Sequence, residues 1–139
     1  MKKSDNGFFH IVWAGLTIAA LYQIAAYFSL FWAVTWFDIP MHFLGGVWVT
    51  FLFIWFFSHF DFFTSKKEHP LFLASWVFFV VTVIGISWEV FEYLTGITFV
   101  LGKNYWSDTI LDLVMDLIGA GVAFSYASSR FGKEKPRPI

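Results

Sequence analysis

Residues 71–94 have the sequence LFLASWVFFVVTVIGISWEVFEYL, an apolar run that is long enough to cross a lipid bilayer as a helix. A spanning helix needs about 20 mostly apolar residues, because the hydrocarbon core is about 30 Å thick and each residue advances a helix by about 1.5 Å. Three further apolar runs, at residues 8–34, 41–57 and 109–128, meet or approach this length. The sequence therefore predicts an all-α fold, a bundle of four transmembrane helices.

The composition of the whole chain agrees with a membrane protein. Of its 139 residues, 58% are hydrophobic and only 14% are charged, which is too apolar for an ordinary soluble domain. The formal net charge is -1 and the basic residues form only short clusters, so we expect no nucleic-acid partner. The chain has no cysteine, which excludes thiolate metal sites. We predict one integral membrane domain over residues 1–139, with membrane lipids as its surroundings.

The segments between the apolar runs have the chemistry of helix ends. Pro40 suits the first turn of the second helix, Gly96 is suited to cap the third, and Ser107 or Asp108 is suited to cap the start of the fourth. The connections are short, so we expect neighbouring helices to be antiparallel. Residues 132–139 form a basic, proline-containing tail.

The distribution of lysine and arginine predicts the orientation in the membrane. With four spans, both termini and the loop around Lys66 share one side, and only Lys103 lies on the other. The basic residues of the first side are Lys2, Lys3, Lys66, Lys67, Arg130, Lys133, Lys135 and Arg137. By the positive-inside rule, both termini are expected in the cytoplasm. The first run is too long for the apolar region of a cleaved signal peptide, so we expect it to be retained as a span.

Ionisable residues lie inside three of the apolar runs, at the same end of the predicted bundle. His42 begins the second run, and Glu89 and Glu92 end the third. Asp112 and Asp116 lie in the fourth. A charge in hydrocarbon costs at least about 2.5 kcal/mol even on lenient insertion scales, so we expect these side chains to face the bundle interior and to mark a functional site.

Acidic residues outnumber basic ones at this end of the predicted bundle. The acidic residues are Asp38, Glu89, Glu92, Asp108, Asp112 and Asp116, opposed by Lys103 and the titratable His42. Crowded carboxylates in a low dielectric cannot all stay ionised without a partner, so the cluster must hold protons or a cation. Oxygen-rich sets with one imidazole suit Mg²⁺, Mn²⁺ or Zn²⁺. We predict a divalent-metal site whose ligands and catalytic residues are His42, Glu89, Asp112 and Asp116.

Three of the acidic residues are secondary candidates, because each has a simpler explanation. Asp38 and Asp108 stand at predicted helix starts, where a carboxylate caps the backbone and interacts favourably with the helix dipole. Glu92 lies near a helix end and can extend toward the lipid headgroups. For His42, a hydrogen-bonded packing role is as well founded as a role in metal binding or proton transfer.

Three motifs resemble the DUF2238 group of small bacterial membrane proteins. They are Asp38-Ile-Pro-Met-His42-Phe-Leu-Gly-Gly46, then Trp88-Glu89-Val-Phe-Glu92, then Tyr105-Trp-Ser-Asp108 followed by Asp112-Leu-Val-Met-Asp116-Leu-Ile-Gly119. The pattern is similar, more loosely, to VanZ-like proteins, although these favour Gln and Asn where Tyr93 and Asp116 stand. The resemblance implies a polytopic protein of the bacterial inner membrane. VanZ-like relatives are linked to glycopeptide-antibiotic resistance.

Three functions are compatible with such a cluster. A bound metal that polarises a lipid phosphate or activates water would make the protein a small envelope-lipid enzyme. Protonatable acids also equip proton- or cation-coupled transporters, but four helices are few for a carrier, so this function requires a homo-oligomer. The third function is that of a non-catalytic envelope or antibiotic-resistance factor, in which protonated carboxyl groups hydrogen-bond between helices.

The polar groups along the rest of the bundle help to separate an enzyme from a transporter. A closed pocket favours the enzyme, whereas a polar path that continues past Asp116 favours transport. The sequence offers few polar groups for such a path, chiefly Gln23, Thr50, Thr82 and Ser87. This scarcity favours the pocket.

Overall fold

The fold is known from a computed structural model, which describes residues 5–34, 36–59, 70–96 and 105–131. Within these residues all regular secondary structure is helical. The helices are α1 (Asp5–Tyr27), α2 (Leu30–Ala33), α3 (Asp38–His59), α4 (Pro70–Thr95) and α5 (Tyr105–Phe131). The predicted all-α fold with four long helices is confirmed, and α2 is a single additional turn.

Three of the helices are long and apolar enough to cross a membrane. The spanning segments are Asp38–Ser58 in α3, Pro70–Thr95 in α4 and Tyr105–Ser129 in α5. The apolar part of α1, Ile11–Tyr27, is shorter. Large hydrophobic side chains are exposed along all four long helices, as contact with lipid requires.

The first helix is shorter than the sequence predicts. A continuous helix was expected over residues 8–34, but α1 ends at Tyr27 because Ser29 adopts a left-handed conformation with φ 54°. The chain then turns back and buries Phe31, whose ring lies 5.2 Å from that of Tyr22 and 5.4 Å from that of Phe37 between centroids. Burial of this aromatic side chain accounts for a break that no glycine or proline signals in the sequence.

The helix ends at Pro40 and Gly96 follow the predicted chemistry, whereas α5 begins at Tyr105, before the residues Ser107 and Asp108 that were expected to cap it. Pro40 lies in the first turn of α3, where its missing N–H leaves no helical hydrogen bond unmade. Gly96 follows α4 with φ 68°, the left-handed conformation in which glycine commonly ends a helix. The basic tail at residues 132–139 and Lys103 lie outside the described residues, as do the other basic side chains from which we predicted the orientation.

Glycines bring α3, α4 and α5 into close contact. A Cβ atom at Gly46 of α3 would collide with the backbone carbonyl oxygen of Asp116 on α5, and one at Gly119 would collide with that of Phe43. A Cβ atom at Gly85 of α4 would lie only 2.7 Å from Oδ2 of Asp116. Small residues permit this approach of backbones in membrane bundles. Asp116 therefore lies where the three spanning helices meet.

The helix α1 packs against α3 through two tryptophans, Trp48 and Trp55, of which Trp55 lies 4.5 Å from the ring of Phe8 between centroids. The indole N–H of Trp48 donates a hydrogen bond of 2.8 Å to the carbonyl oxygen of Ile11. The same ring fills the space beside Gly15, where a Cβ atom would lie 2.7 Å from the indole. This contact attaches α1 to the three helices that carry the ionisable residues.

Candidate metal centre

Ionisable side chains from three helices converge at one end of the bundle, here called the acidic end. It is formed by the first turns of α3 and α5 and the last turns of α4. Five of its ionisable residues are buried, with 4–7% of their surface exposed, namely His42, Glu89, Glu92, Asp112 and Asp116. Asp38 and Asp108 are half-buried beside them. The helical spacing that places these residues on shared faces thus directs them into the bundle.

The imidazole of His42 lies between carboxylates on both of its sides. Its Nδ1 atom is 3.5 Å from Oδ2 of Asp116. Its Nε2 atom is 3.8 Å from Oδ1 of Asp38 and 4.0 Å from Oε1 of Glu89. Because a carboxylate can only accept a hydrogen bond, the contact with Asp116 favours the proton on Nδ1. The lone pair of Nε2 in neutral His42 then faces Asp38 and Glu89.

Ligand atoms from three residues lie close enough to share one cation. Asp38, His42 and Asp112 each offer one such atom, and all three atoms lie within 4.8 Å of one another. Two ligands on opposite sides of a cation at about 2.0–2.6 Å lie up to about 5 Å apart, so the spacing suits a single ion. The residues come from α3 and α5, whose close crossing sets their separation.

Glu89 presents one carboxylate oxygen to His42 and has the other oxygen occupied. Oε2 accepts a hydrogen bond of 2.8 Å from the hydroxyl of Thr109 on α5. Oε1 is buried and has no hydrogen-bond partner among the described residues. An unpaired buried oxygen of this kind is costly, and a bound cation would remove the cost. Oε1 faces His42 at 4.0 Å, so the cation would lie beside Nε2.

Helix dipoles affect the two groups of carboxylates differently. Asp38 and Asp108 lie in the first turns of α3 and α5, where the positive end of the dipole favours a negative charge. Glu89 and Glu92 lie near the C-terminus of α4, where the dipole disfavours it. His42 is the one basic group that the described side chains bring to the acidic end. These electrostatics favour a bound cation.

A family model with the description "Predicted membrane protein (DUF2238)" matches residues 6–133. The chain belongs to the DUF2238 family. The resemblance derived from its three motifs is thereby confirmed for DUF2238, and the VanZ-like resemblance stays a prediction. No curated protein and no solved structure matches this DUF2238 chain.

The structure of this DUF2238 protein separates Asp38 and Asp116, which were predicted as a secondary candidate and a ligand, on two sides of His42. Asp38, ranked as secondary, belongs to the group with His42 and Asp112. Asp116, ranked among the ligands, contacts Nδ1 of His42, the nitrogen on the far side of the ring from Asp38 and Glu89. The spacing of four residues between Asp38 and His42 was the available signal, because it places both on one face of α3.

Glu92 lies three residues after Glu89 on α4 and has a hydrogen-bond partner of its own. Its Oε1 atom accepts a hydrogen bond of 2.7 Å from the indole N–H of Trp88, one turn earlier on α4. The side chain is 6% exposed, so it lies within the bundle and does not extend to the headgroups. Asp108 remains half-buried in the first turn of α5, as a residue at a helix start.

Thr109 is a contact of the site that the sequence analysis missed. It lies three residues before Asp112 on α5, so both side chains occupy one face of that helix. This spacing was the only signal, and threonine is common in membrane helices. The hydrogen bond from its hydroxyl to Glu89 joins α5 to α4 at the acidic end.

Proposed function

We propose that this protein binds a divalent cation at the acidic end, with Asp38, His42, Asp112 and Glu89 as ligands. The observation that carries the proposal is the meeting of ligand atoms from Asp38, His42 and Asp112 within 4.8 Å of one another. The unpartnered Oε1 atom of Glu89 supports it independently, because it is a buried anionic group that faces the same space.

The donor set favours a transition metal among the predicted cations Mg²⁺, Mn²⁺ and Zn²⁺. Imidazole is a good ligand for Zn²⁺, whereas Mg²⁺ prefers oxygen ligands and keeps several waters. The ligands are largely buried, which leaves little space for a hydrated ion. The contact of Asp116 with Nδ1 corresponds to the carboxylate that commonly orients a metal-bound histidine from behind.

The position of the site suits chemistry on a membrane lipid. With α1 as a fourth span, the positive-inside rule favours the periplasmic face of a bacterial inner membrane for the acidic end and the cytoplasm for both termini. The exposed rings of Trp36 and Trp106 lie next to the starts of α3 and α5, where an interfacial belt is expected. A cation at this depth would polarise a lipid phosphate or activate water, so the proposed function extends to an enzyme of envelope lipids.

The interior of the bundle supports a pocket over a transport path. An apolar cluster lies about one to three helical turns further into the bundle from the acidic end. It consists of Val49, Val77, Val81 and Ala120, with Trp48, Phe53, Ile54, Val80, Leu117 and Phe124 packed against it. Such a layer provides no ligand for an ion that moves past Asp116.

The polar residues that we considered for a transport path do not extend from the acidic end through the bundle. Gln23 and Ser87 are exposed, and the hydroxyls of Ser87 and Thr82 donate to carbonyl oxygens of their own helix. Thr50 is fully buried, and its hydroxyl has no hydrogen-bond partner among the described residues. One isolated hydroxyl does not form a relay, so a proton- or cation-coupled transporter is the weaker proposal.

Metal content and metal affinity test the proposal. The full chain is purified in detergent, its metal content is determined by mass spectrometry, and Mn²⁺ and Zn²⁺ are titrated calorimetrically. Loss of a ligand in Asp112→Asn should weaken binding by more than about 100-fold, beyond the 10–100-fold that outer-shell changes cost. The comparison variant Asp108→Asn removes an acid one turn earlier on the same helix that is not a proposed ligand, and it should weaken binding much less than Asp112→Asn. A wild-type protein that carries no metal, binds neither ion and melts at the same temperature in chelator would refute the proposal.

A further inference from the structure

We propose that Thr109 is a positioning residue, whose hydroxyl holds one oxygen of Glu89 so that the other faces the cation. This inference rests on the proposed function and deepens it, because it names the group that orients the carboxylate of Glu89 as a ligand. Thr109 itself does not touch the cation. It acts through the carboxylate of Glu89, to which it donates a hydrogen bond of 2.8 Å.

The two oxygens of Glu89 have different surroundings, which is the basis of the inference. Oε2 receives the hydroxyl of Thr109, while Oε1 is buried without a hydrogen-bond partner among the described residues. Oε1 lies 4.0 Å from Nε2 of His42, too far for a hydrogen bond. Fixing Oε2 therefore directs Oε1 toward the space that His42 also faces.

Among the described residues, the other threonines that make hydrogen bonds use their hydroxyls differently. Thr17, Thr82 and Thr95 each donate to the carbonyl oxygen four residues earlier in their own helix. This local bond is the usual choice of threonine within a helix. Thr109 donates instead to a buried carboxylate on a different helix. Its hydroxyl thus joins α5 to α4 at the acidic end.

The start of α5 contacts α4 at Glu89 through two side chains. The hydroxyl of Tyr105 lies 3.4 Å from the backbone carbonyl oxygen of Glu89, and Thr109 holds its carboxylate one turn later. Asp112 follows on the same face of α5. One short segment of α5 therefore supplies a ligand and also fixes the neighbouring ligand on α4.

The experiment compares three variants of Thr109 with a matched control. Thr109→Val keeps the shape and removes the donor, Thr109→Ala removes it with a smaller side chain, and Thr109→Ser keeps it. The control Thr82→Val removes a hydroxyl that bonds only within α4. We expect Mn²⁺ affinity, measured calorimetrically on the full chain in detergent, to fall about 10-fold or more in Thr109→Val and Thr109→Ala. Thr109→Ser and Thr82→Val should bind like the wild type.

A melting experiment separates positioning from a merely structural role. A positioning role predicts that Thr109→Val gains less than the wild type in melting temperature from added Mn²⁺, beyond the loss that it shows without metal because Oε2 of Glu89 has lost its donor. If Thr109→Val does not fold, the comparison of Thr109→Ala with Thr109→Ser decides. Wild-type affinity in the variants without the hydroxyl, or an equal loss in Thr109→Ser, would overturn the inference while the metal site stands. A wild-type protein that binds no Mn²⁺ would instead refute the proposed function, and the positioning role with it.

Discussion

Replacement of Gly46 by alanine should separate α3 from α5 and destabilise the protein. The added Cβ atom would lie 2.8 Å from the carbonyl carbon and 2.9 Å from the Cα atom of Asp116, and closer still to the carbonyl oxygen. An ordinary contact begins at 3.4 Å, so the backbones must part by about 0.6 Å for the carbon atoms alone. Backbone atoms cannot rotate away as a side chain can. Overpacking of this kind typically costs about 1–3 kcal/mol, and we expect the upper part of that range.

A second glycine of α5 provides the matched control for this substitution. A Cβ atom at Gly121 would meet only the Cζ atom of Phe78 at 3.9 Å, which is ordinary contact. Gly121→Ala should therefore be neutral or stabilise the helix by up to about 1 kcal/mol. Unfolding of both variants in a series of denaturing detergent mixtures measures the difference. Equal stability of Gly46→Ala and the wild type would refute the close crossing of α3 and α5, and with it the placement of Asp116.

Two further predictions concern the proposed metal site. Asp116→Asn removes the charge behind Nδ1 of His42, so Zn²⁺ affinity should fall about 10-fold by calorimetry; an unchanged affinity would show that Asp116 does not orient the ring. Protons compete with the metal for the carboxylates and the imidazole, so affinity should rise with pH when it is measured calorimetrically at a series of pH values. Binding that does not change with pH would contradict a site containing His42 and three carboxylates.

Much of the fold could be predicted because membrane helices are specified by length and apolarity. The three spanning helices coincide with long apolar runs, and Pro40 and Gly96 stand at helix ends where proline and glycine belong. The break at Ser29 could not be predicted, because no residue there disfavours a helix strongly. It depends on the burial of Phe31 against aromatic rings from other segments, which is a property of the folded chain.

The composition of the site was easier to predict than its arrangement. Acids within an apolar run must face the bundle interior, whatever their partners are. Which oxygen faces which nitrogen depends on helix rotation and crossing, and these are set by contacts such as those of Gly46 and Gly85 with Asp116. The sequence therefore predicts which residues form the cluster, but not which carboxylates lie on which side of His42.

That division has a physical consequence for the acids of this bundle. If all the carboxylates faced one space, their repulsion would require several protons or more than one cation. His42 separates them, because Asp116 contacts Nδ1 while Asp38 and Glu89 face Nε2. A proton on Nδ1 then stabilises the carboxylate of Asp116 by a hydrogen bond without occupying the nitrogen that faces the other acids. One imidazole thus lies between two groups of carboxylates, and for this reason His42 is the residue whose replacement should disturb both sides of the acidic end.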